Sequence, residues 1–534
     1  MRLRRFGLAT ATALMTLSSA SAEAQRPTLV VFVAIDQLRP DYVSTWESQL
    51  TGGLARFWSQ GAFFSNGFQD HANTETAPGH ASMLSGRFPY STGITANTIG
   101  VNTADAPLIE SPDTGASPFR FRGTTLASWM KAKDANTRVL SVSRKDRSAI
   151  LPVAPAHEHT VIWYSPKAAK FTTSTWYATA LPEWVRAFNA QRPVLSLAGT
   201  PWNLLLPESA YPESDSSASE PPTDFRFPHV LPTDSARAGS AIVQTPWMDS
   251  LTLSLALRGV SVMELGAAAN RVDLLSVSLS STDGVGHRWG PDSRELHDQV
   301  LRVDRYLGAF IDSLYKLRGR DRVVFALTAD HGVTPIPEVA SRFEPNGNAR
   351  RVPSQTFRPL VATARATLRA AGADTTAVRW EDLTLYLDRY KLKGVVIDTA
   401  KLTSMFLDNA RAIPGVWRAD RLSDLAAADT SRDAIARRWL RMFRPGVDPF
   451  AGVSVLGMVT LHPNGYYGSS REATHGSPHD SDARVPVAFL GAPFKSGRYS
   501  TKVNVVDIAP TLASLLGVTP LERLDGRVLK EVLR

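Results

Sequence analysis

The chain has no cysteine, and this absence limits the chemistry open to it. Disulfides, iron–sulfur clusters and thiolate zinc sites are excluded, so any bound metal must be held by oxygen and imidazole ligands. Long apolar runs are also absent after the N-terminal segment, so no membrane-spanning helix is predicted. The 59 basic and 50 acidic residues give a net charge of +9, but no Lys/Arg block of the kind that follows nucleic acid occurs. We therefore expect no dedicated nucleic-acid surface.

The first 24 residues are typical of a secretory signal peptide. Three arginines within residues 2–5 precede a mostly apolar stretch over residues 6–17, and Ala22-Glu-Ala24 offers a small-x-small cleavage site. The alternative is a membrane anchor, but the apolar stretch is short for a bilayer. We expect export of a mature chain, residues 25–534, which is long enough for a large core without cross-links.

Acidic and histidine residues lie beside four apolar runs that are predicted to be strands. The runs are residues 29–35, 272–279, 322–328 and 485–490, and the associated residues are Asp36, Asp283, His287, Asp330, His331 and His475. An amphipathic helix over residues 296–314 predicts a βαβ crossover, and hence parallel strands on either side of it. Binding sites in such sheets form beyond the carboxyl ends of the strands. The pattern favours more than one metal ion, and the ligand types fit zinc, manganese or iron.

The spacing within these pairs is compatible with shared ions. Asp283 and His287 lie in Asp-Gly-Val-Gly-His, where we expect two glycines to let a loop fold both side chains onto one ion. Asp330 and His331 are adjacent, and they can face one centre only if the chain turns, which Gly332 permits. Each pair alone is more often a hydrogen-bonded turn than a metal site. The complete set beside one sheet favours metal ions.

Thr76 is a candidate nucleophile at the start of a predicted helix, with Pro78 in the first turn. Free N–H groups at a helix start favour an anion, either an alkoxide or a phosphate. A threonine hydroxyl is a poor nucleophile unless a metal ion or a base activates it. The alternative is that Thr76 is simply a helix N-cap.

Lys145 and Arg147 follow a predicted strand at residues 137–142 and could face one side together. A guanidinium fork and an ammonium point charge both suit phosphate oxygens, although such a pair could also be solvated surface charge. Asn97 could donate to a phosphate oxygen, or it could be a turn asparagine.

Two stretches interrupt the alternation of strands and helices, at about residues 160–250 and 336–470. Candidate site residues lie on both sides of each stretch, so we interpret the stretches as insertions into a single domain spanning residues 25–534. Residues 394–398 are predicted to form a short strand within the second stretch. A last helix is predicted between Asp507 and Gly517.

In this order, the motifs resemble those of the alkaline phosphatase superfamily, most closely the bacterial phosphate-irrepressible alkaline phosphatases with a threonine nucleophile. The resemblance rests on Asp36, the segment Thr76-Ala-Pro-Gly-His, Lys145-Asp-Arg147, Asp283-x-x-x-His287, Asp330-His331 and His475-Gly-Ser-Pro. It implies an α/β sandwich whose mostly parallel central sheet is flanked by helices and carries cap-like insertions. It also implies a bacterial enzyme, periplasmic or secreted, that hydrolyses small phosphate monoesters, with phosphodiesterase as a secondary activity.

The resemblance further implies two Zn²⁺ ions and a covalent phosphothreonine intermediate on Thr76. The implied ligands are Asp283, His287 and His475 for one zinc, and Asp36, Asp330, His331 and the Thr76 oxygen for the other. Asn97, Lys145 and Arg147 would hold phosphate oxygens. The oligomeric state is not predicted.

Alternatives stay open at this point. A nucleotide pyrophosphatase/phosphodiesterase of the same superfamily would carry the same ligands, but Lys145 and Arg147 favour a monoester dianion over a diester. A sulfatase is disfavoured, because its motif needs arginine four positions after the nucleophile, where this chain has His80. A non-catalytic exported phosphate- or zinc-binding protein would be expected to lose a ligand, and none is missing.

Overall fold

The structure is a computed structural model that describes residues 26–215, 224–343 and 348–534. The predicted signal peptide, residues 1–24, lies outside the described residues. In the described ranges, no helix combines the length and the apolar character needed to cross a membrane.

The described residues form strands and α-helices that alternate along most of the chain. The strands are β1 (Leu29–Ile35), β2 (Ala62–Phe68), β3 (Val139–Ser143), β4 (Thr160–Ser165), β5 (Lys170–Thr172), β6 (Pro201–Trp202), β7 (His229–Val230), β8 (Asp273–Leu279), β9 (Val323–Thr328), β10 (Arg351–Val352), β11 (Val378–Glu381), β12 (Thr384–Asp388), β13 (Val416–Arg421), β14 (Val453–Leu461), β15 (Tyr466–Tyr467), β16 (Arg484–Leu490), β17 (Gly497–Tyr499) and β18 (Val503–Asn504). The helices are α1 (Pro40–Thr45), α2 (Gly53–Gln60), α3 (Thr76–Met83), α4 (Pro89–Thr92), α5 (Leu126–Lys133), α6 (Asp146–Ile150), α7 (Glu183–Ala190), α8 (Ser235–Ala241), α9 (Pro246–Val262), α10 (Ser281–Trp289), α11 (Arg294–Arg318), α12 (Pro337–Phe343), α13 (Arg358–Ala370), α14 (Thr399–Arg411), α15 (Leu422–Leu425), α16 (Ala434–Met442), α17 (Asp480–Ala483) and α18 (Ile508–Leu516).

A ten-stranded sheet forms the centre of the molecule, in the order β17-β2-β16-β9-β1-β8-β3-β4-β5 with β18 paired to β2. The five strands β9, β1, β8, β3 and β4 run parallel to one another, whereas β16 is antiparallel to both of its neighbours. Every residue of β1, β8 and β9 is buried, as expected for parallel strands that are covered on both faces. The predicted α/β fold with a mostly parallel central sheet is confirmed.

The crossover from β8 to β9 runs through α10 and α11 and aligns the ends of three strands. The apolar face of α11 is buried, and the helix begins at Ser293, whose side chain accepts a hydrogen bond from the Leu296 N–H. Strands β8 and β9 lie on either side of β1 and parallel to it, with Leu29 opposite both Asp273 and Val323. The prediction of parallel strands is therefore confirmed, and the three carboxyl ends lie side by side.

The second predicted insertion contains a separate four-stranded sheet, in the order β11-β12-β14-β13, with its own hydrophobic core. The strand predicted at residues 394–398 is wrong, because this segment has no regular structure and Val396 is 91% exposed. Asp398 instead begins α14, where its side chain accepts from the Lys401 N–H. Strands β4 and β5, inside the first predicted insertion, extend the central sheet. The division into one domain with two insertions stays a prediction.

Candidate metal centre

Two groups of carboxylate and imidazole side chains lie at the carboxyl end of the central sheet. Within each group, one ligand atom per residue lies within 4.8 Å of those of the others. The first triad is Asp283, His287 and His475, and the second triad is Asp36, Asp330 and His331. Strand order explains the arrangement, because β1, β8 and β9 end beside one another and deliver five of these six residues. These groups match the two ligand sets that the resemblance implies.

The first triad is built on a helix, so the prediction of a loop at residues 283–287 is wrong. Asp283 and His287 lie four residues apart on α10, which places them on one helical face. His287 Nε2 is 3.1 Å from Asp283 Oδ1. The glycines serve packing instead of loop flexibility, since a Cβ on Gly286 would lie 1.9 Å from Gln37 Oε1.

All three histidines are anchored through Nδ1 to main-chain carbonyl groups. The contacts are His287 to Ala473 O at 2.6 Å, His331 to Gly332 O at 2.9 Å and His475 to Thr74 O at 2.8 Å. A carbonyl oxygen can only accept, so each Nδ1 carries the hydrogen and donates it. The neutral tautomer is thereby fixed, and each Nε2 faces the carboxylates, which is the orientation of a metal-binding imidazole.

Buried polar atoms without hydrogen-bond partners indicate that the second triad fits a cation. Asp36 Oδ1, Asp330 Oδ2 and His331 Nε2 are buried and have no hydrogen-bond partner among the described residues. His331 Nε2 lies 3.3 Å from Asp36 Oδ1 and 3.6 Å from Asp330 Oδ2. Unpartnered buried polar atoms are costly, and a divalent ion held by oxygen and imidazole would satisfy all three.

In the second triad, a metal ion and a proton on His331 compete for the same negative charge. Burial lowers the pKa of His331, but Asp330 and Asp36 outweigh burial and raise that pKa to about 9. Burial likewise opposes ionisation of Asp330, yet His331 and His80 hold its pKa well below the usual range. A metal ion would therefore displace a proton from His331 on binding.

Thr76 is the first residue of α3 and lies against the end of β9. Its side chain is buried, and the N-cap residue of the helix is Glu75, so the N-cap alternative for Thr76 is wrong. Helix α3 approaches the residues after β9 this closely because position 79 is glycine. A Cβ at Gly79 would lie 2.3 Å from the Asp330 carbonyl oxygen. Thr76 Oγ1 accepts a hydrogen bond from Lys145 Nζ at 3.2 Å.

Lys145 joins the two triads to Thr76. Its Nζ lies 2.5 Å from Asp36 Oδ2 and 2.7 Å from Asp283 Oδ2, and the residue is 7% exposed. Burial disfavours the charged form of Asp283, but Lys145 and His287 hold the pKa of this carboxyl well below its usual range. Lys145 is therefore the cation at the centre of the site.

Asn97 lies beside the start of α3, and Arg147 follows Lys145 on α6. Asn97 Oδ1 accepts from the Ala77 N–H at 2.9 Å, and its own N–H donates to Glu75 Oε2 at 2.6 Å. The Glu75 bond uses the main-chain N–H, so the side-chain nitrogen Nδ2 of Asn97 is left available to donate. Burial and Asp382 raise the pKa of Glu75 to about 7, and the charge of Arg147 opposes that rise. Arg147 thus lies within electrostatic range of the segment that leads into α3.

Comparison with known proteins supplies the family. The family described as type I phosphodiesterase / nucleotide pyrophosphatase matches residues 30–441. The chain belongs to this family. The matched range includes every predicted site residue except His475.

Bacterial alkaline phosphatases are similar to this chain over nearly its whole length. Alkaline phosphatase PhoK of a Sphingomonas species is 32% identical over 560 residues, covering 95% of this chain and 92% of its own length. Alkaline phosphatase PhoV of Synechococcus elongatus is 29% identical, covering 95% and 93%. The crystal structure of wild-type alkaline phosphatase PafA matches with a TM-score of 0.84 at 27% identity, covering 95% of this chain and 99% of that chain. The resemblance found from the motifs is confirmed.

Two site residues of this family member were missed from the sequence, namely Gln37 and Arg144. Gln37 has a positive φ of 67°. Its N–H donates to Asp330 Oδ1 at 3.1 Å, and its Nε2 donates to Asp283 Oδ1 at 3.0 Å, so Gln37 connects the two triads. The available signal was position alone, since Gln37 follows a strand-end aspartate and Arg144 precedes Lys145.

Replacing Gln37 by methionine is expected to weaken zinc binding by about 10- to 100-fold, because a donor that orients a metal-binding carboxylate is lost while the volume is kept. Competition with a zinc chelator would measure the change. Gln49→Met is the matched control, since Gln49 Nε2 donates to a distant carbonyl, that of Ala210. Equal zinc affinity in the Gln37→Met protein and the wild type would contradict the role of Gln37.

Proposed function

We propose that the chain is an exported zinc-dependent phosphatase that hydrolyses phosphate monoesters through a covalent intermediate on Thr76. The observation that carries the proposal is the position of the Thr76 hydroxyl, at a helix start beside two carboxylate–histidine triads and 3.2 Å from Lys145 Nζ. The residue pattern at positions 1–24 supports export to the periplasm or the medium. Phosphodiesterase activity is proposed as a secondary activity of the same centre.

The two triads would hold two zinc ions. Asp283, His287 and His475 would bind one ion, and Asp36, Asp330 and His331 the other, together with the Thr76 oxygen. The carboxylate and imidazole ligands suit zinc, and the fixed Nδ1 hydrogens leave every Nε2 free to bind. When bound, such ions supply positive charge to the attacking and leaving oxygens of an in-line phosphoryl transfer.

The residues around Thr76 account for the chemical steps. Lys145 lies beside the hydroxyl, where its positive charge favours the alkoxide form. The Thr76 oxygen forms a bond to phosphorus as the bond to the leaving oxygen breaks, which yields phosphothreonine and an alcohol. Water then attacks the phosphothreonine and releases inorganic phosphate and the free hydroxyl. Two in-line displacements retain the configuration at phosphorus.

Cationic donors favour a monoester over a diester. A monoester dianion carries one more negative charge than a diester, and Lys145 and Arg147, with the Asn97 amide, would hold its oxygens. A cavity of about 170 Å³ adjoins the centre and is lined by Glu75, Asp382 and His475, among others. The small size of this cavity supports small-molecule phosphate esters as substrates.

The test is kcat/KM of the purified, zinc-loaded mature protein on an aryl phosphate monoester and the matched diester. We expect a clear monoester preference, loss of turnover after chelation and recovery with added zinc. A diester preference would favour the phosphodiesterase alternative. Binding of zinc and phosphate without turnover of either ester would instead favour a non-catalytic binding protein.

A further inference from the structure

A third cationic side chain, Arg144, lies beside Asp283 and has no role in the chemistry described above. The chain leaves β3 as Ser143-Arg-Lys-Asp-Arg147, and Arg144 precedes the central lysine. The carbonyl of Arg144 accepts from the Tyr164 N–H at 3.3 Å, which fixes the residue between β3 and β4. Its side chain is only 16% exposed, so this is not an ordinary surface arginine.

The Arg144 guanidinium has few partners in the described part of the chain. Its Nε is buried and has no hydrogen-bond partner there. The nearest carboxylate oxygen is Asp283 Oδ2, at 3.9 Å from Nη2, which is too long for a hydrogen bond. That oxygen already contacts Lys145 Nζ at 2.7 Å. Asp283 therefore attracts Arg144 without satisfying its donors.

Asp249 does not provide a partner either. This buried carboxylate interacts electrostatically with Arg144, but its two oxygens accept from the Ser281 N–H and from Gln299 Nε2, each at 3.0 Å. Burial lowers the pKa of Arg144, which reflects the desolvation of its charge. A guanidinium nevertheless stays charged in proteins, so a desolvated cation whose Nε has no acceptor lies beside Asp283.

The position of Arg144 indicates which part of a substrate it meets. Asn97, Lys145 and Arg147 already serve the oxygens of the reacting phosphate in the proposed function. Arg144 Nη2 lies 3.9 Å from Asp283 Oδ2, in the triad that does not bind the Thr76 oxygen in the proposed function. In-line displacement places the leaving group opposite the nucleophile. The planar guanidinium fork matches a carboxylate or a phosphate.

We propose that Arg144 binds a second anionic group, a carboxylate or a phosphate, carried by the leaving group of the substrate. This inference rests on the proposed function and names its substrate class: phosphate monoesters with another negative charge close to the ester oxygen. Arg144 is then a specificity-determining residue, and the free guanidinium is the feature of the site that selects such esters.

Three esters with two-carbon leaving groups test the proposal: 2-phosphoglycolate, 2-hydroxyethyl phosphate and O-phosphoethanolamine, whose leaving groups are anionic, neutral and cationic. Arg144→Gln is expected to lower kcat/KM for 2-phosphoglycolate by about 10- to 100-fold, because a hydrogen-bonded charge pair is lost. The other two esters should change by less than about threefold. Arg144→Lys should restore part of the loss. Arg258→Gln, an exposed site on α9, is the matched control.

Equal losses on all three esters would overturn the proposal, since Arg144 would then act on the reacting phosphate or on Asp283. Unchanged kinetics would overturn it as well. Calorimetry in the Thr76→Ala background separates this inference from the proposed function: Arg144→Gln should weaken binding of 2-phosphoglycolate and leave inorganic phosphate binding unchanged. Should the wild type turn over none of the esters while this selective weakening is seen, the phosphatase proposal fails and the anion site stands.

Discussion

Thr76→Ala is expected to lower kcat on an aryl phosphate monoester by about 10³-fold or more, because the covalent route loses its nucleophile. The Thr76 hydroxyl is buried at the start of α3 and accepts a hydrogen bond from Lys145, whereas a methyl group offers no oxygen to phosphorus. Thr76→Ser should keep a larger share of the activity. Steady-state kinetics measures the loss, and mass spectrometry of acid-quenched wild-type protein should detect phosphothreonine at this position.

Thr92→Ala is the control for that experiment. Thr92 is also fully buried, but its hydroxyl contacts only local backbone at Pro89 and Ile94. We expect this variant to lose stability and keep turnover. Full activity in the Thr76→Ala protein would rule out the covalent mechanism.

Lys145→Ala is expected to reduce kcat/KM for the monoester by about 10²- to 10³-fold and to affect the diester less. The lysine contacts Asp36, Asp283 and Thr76 from one position. Its positive charge is therefore next to the place where the oxygens of a bound phosphoryl group would lie. A diester carries one fewer negative charge, so it depends less on the positive charge of the lysine. The ratio of the two kcat/KM values measures the effect directly.

Zinc content must be determined in the same Lys145→Ala sample, because the lysine contacts a carboxylate of each triad. Lys167→Ala, in which a lysine that is 67% exposed is removed, controls for a general change of charge. Equal losses on monoester and diester would count against the monoesterase assignment.

The sheet and the collection of acids and histidines at its edge could be predicted because they depend on simple physical rules, whereas the division of these residues into two ligand sets came from the resemblance alone. Buried parallel strands need continuous apolar residues. Because the carboxyl ends of such strands meet at one edge of the sheet, the acids and histidines that follow them are expected to lie together there. The helix at Asp283–His287 could not be predicted in this way, since two glycines lower helix propensity. Tertiary packing explains them: Gly284 lies against the Val243 carbonyl and Gly286 against Gln37. The short apolar run at residues 394–398 does not by itself distinguish a strand from a loop, because a strand forms only next to a partner strand and the sequence does not show whether one is nearby.

Gln37 and Arg144 were missed for a different reason. Neither belongs to a periodic pattern or a ligand-type pair, and each acquires its role from residues far away in the chain. Gln37 depends on Asp283, 246 positions distant, and Arg144 is defined by the partners it lacks. Single polar residues of this kind become visible only once the tertiary structure is known.

The anchoring of the three imidazoles by main-chain carbonyls has an evolutionary consequence. A point mutation can delete a side chain but not a carbonyl group, so the tautomers of His287, His331 and His475 are not exposed to mutation at the anchoring positions. Thr74 and Ala473 can vary as long as the backbone path is kept. No second side chain is needed to orient these three imidazoles, so the walls next to them are left free to diverge under selection for new leaving groups.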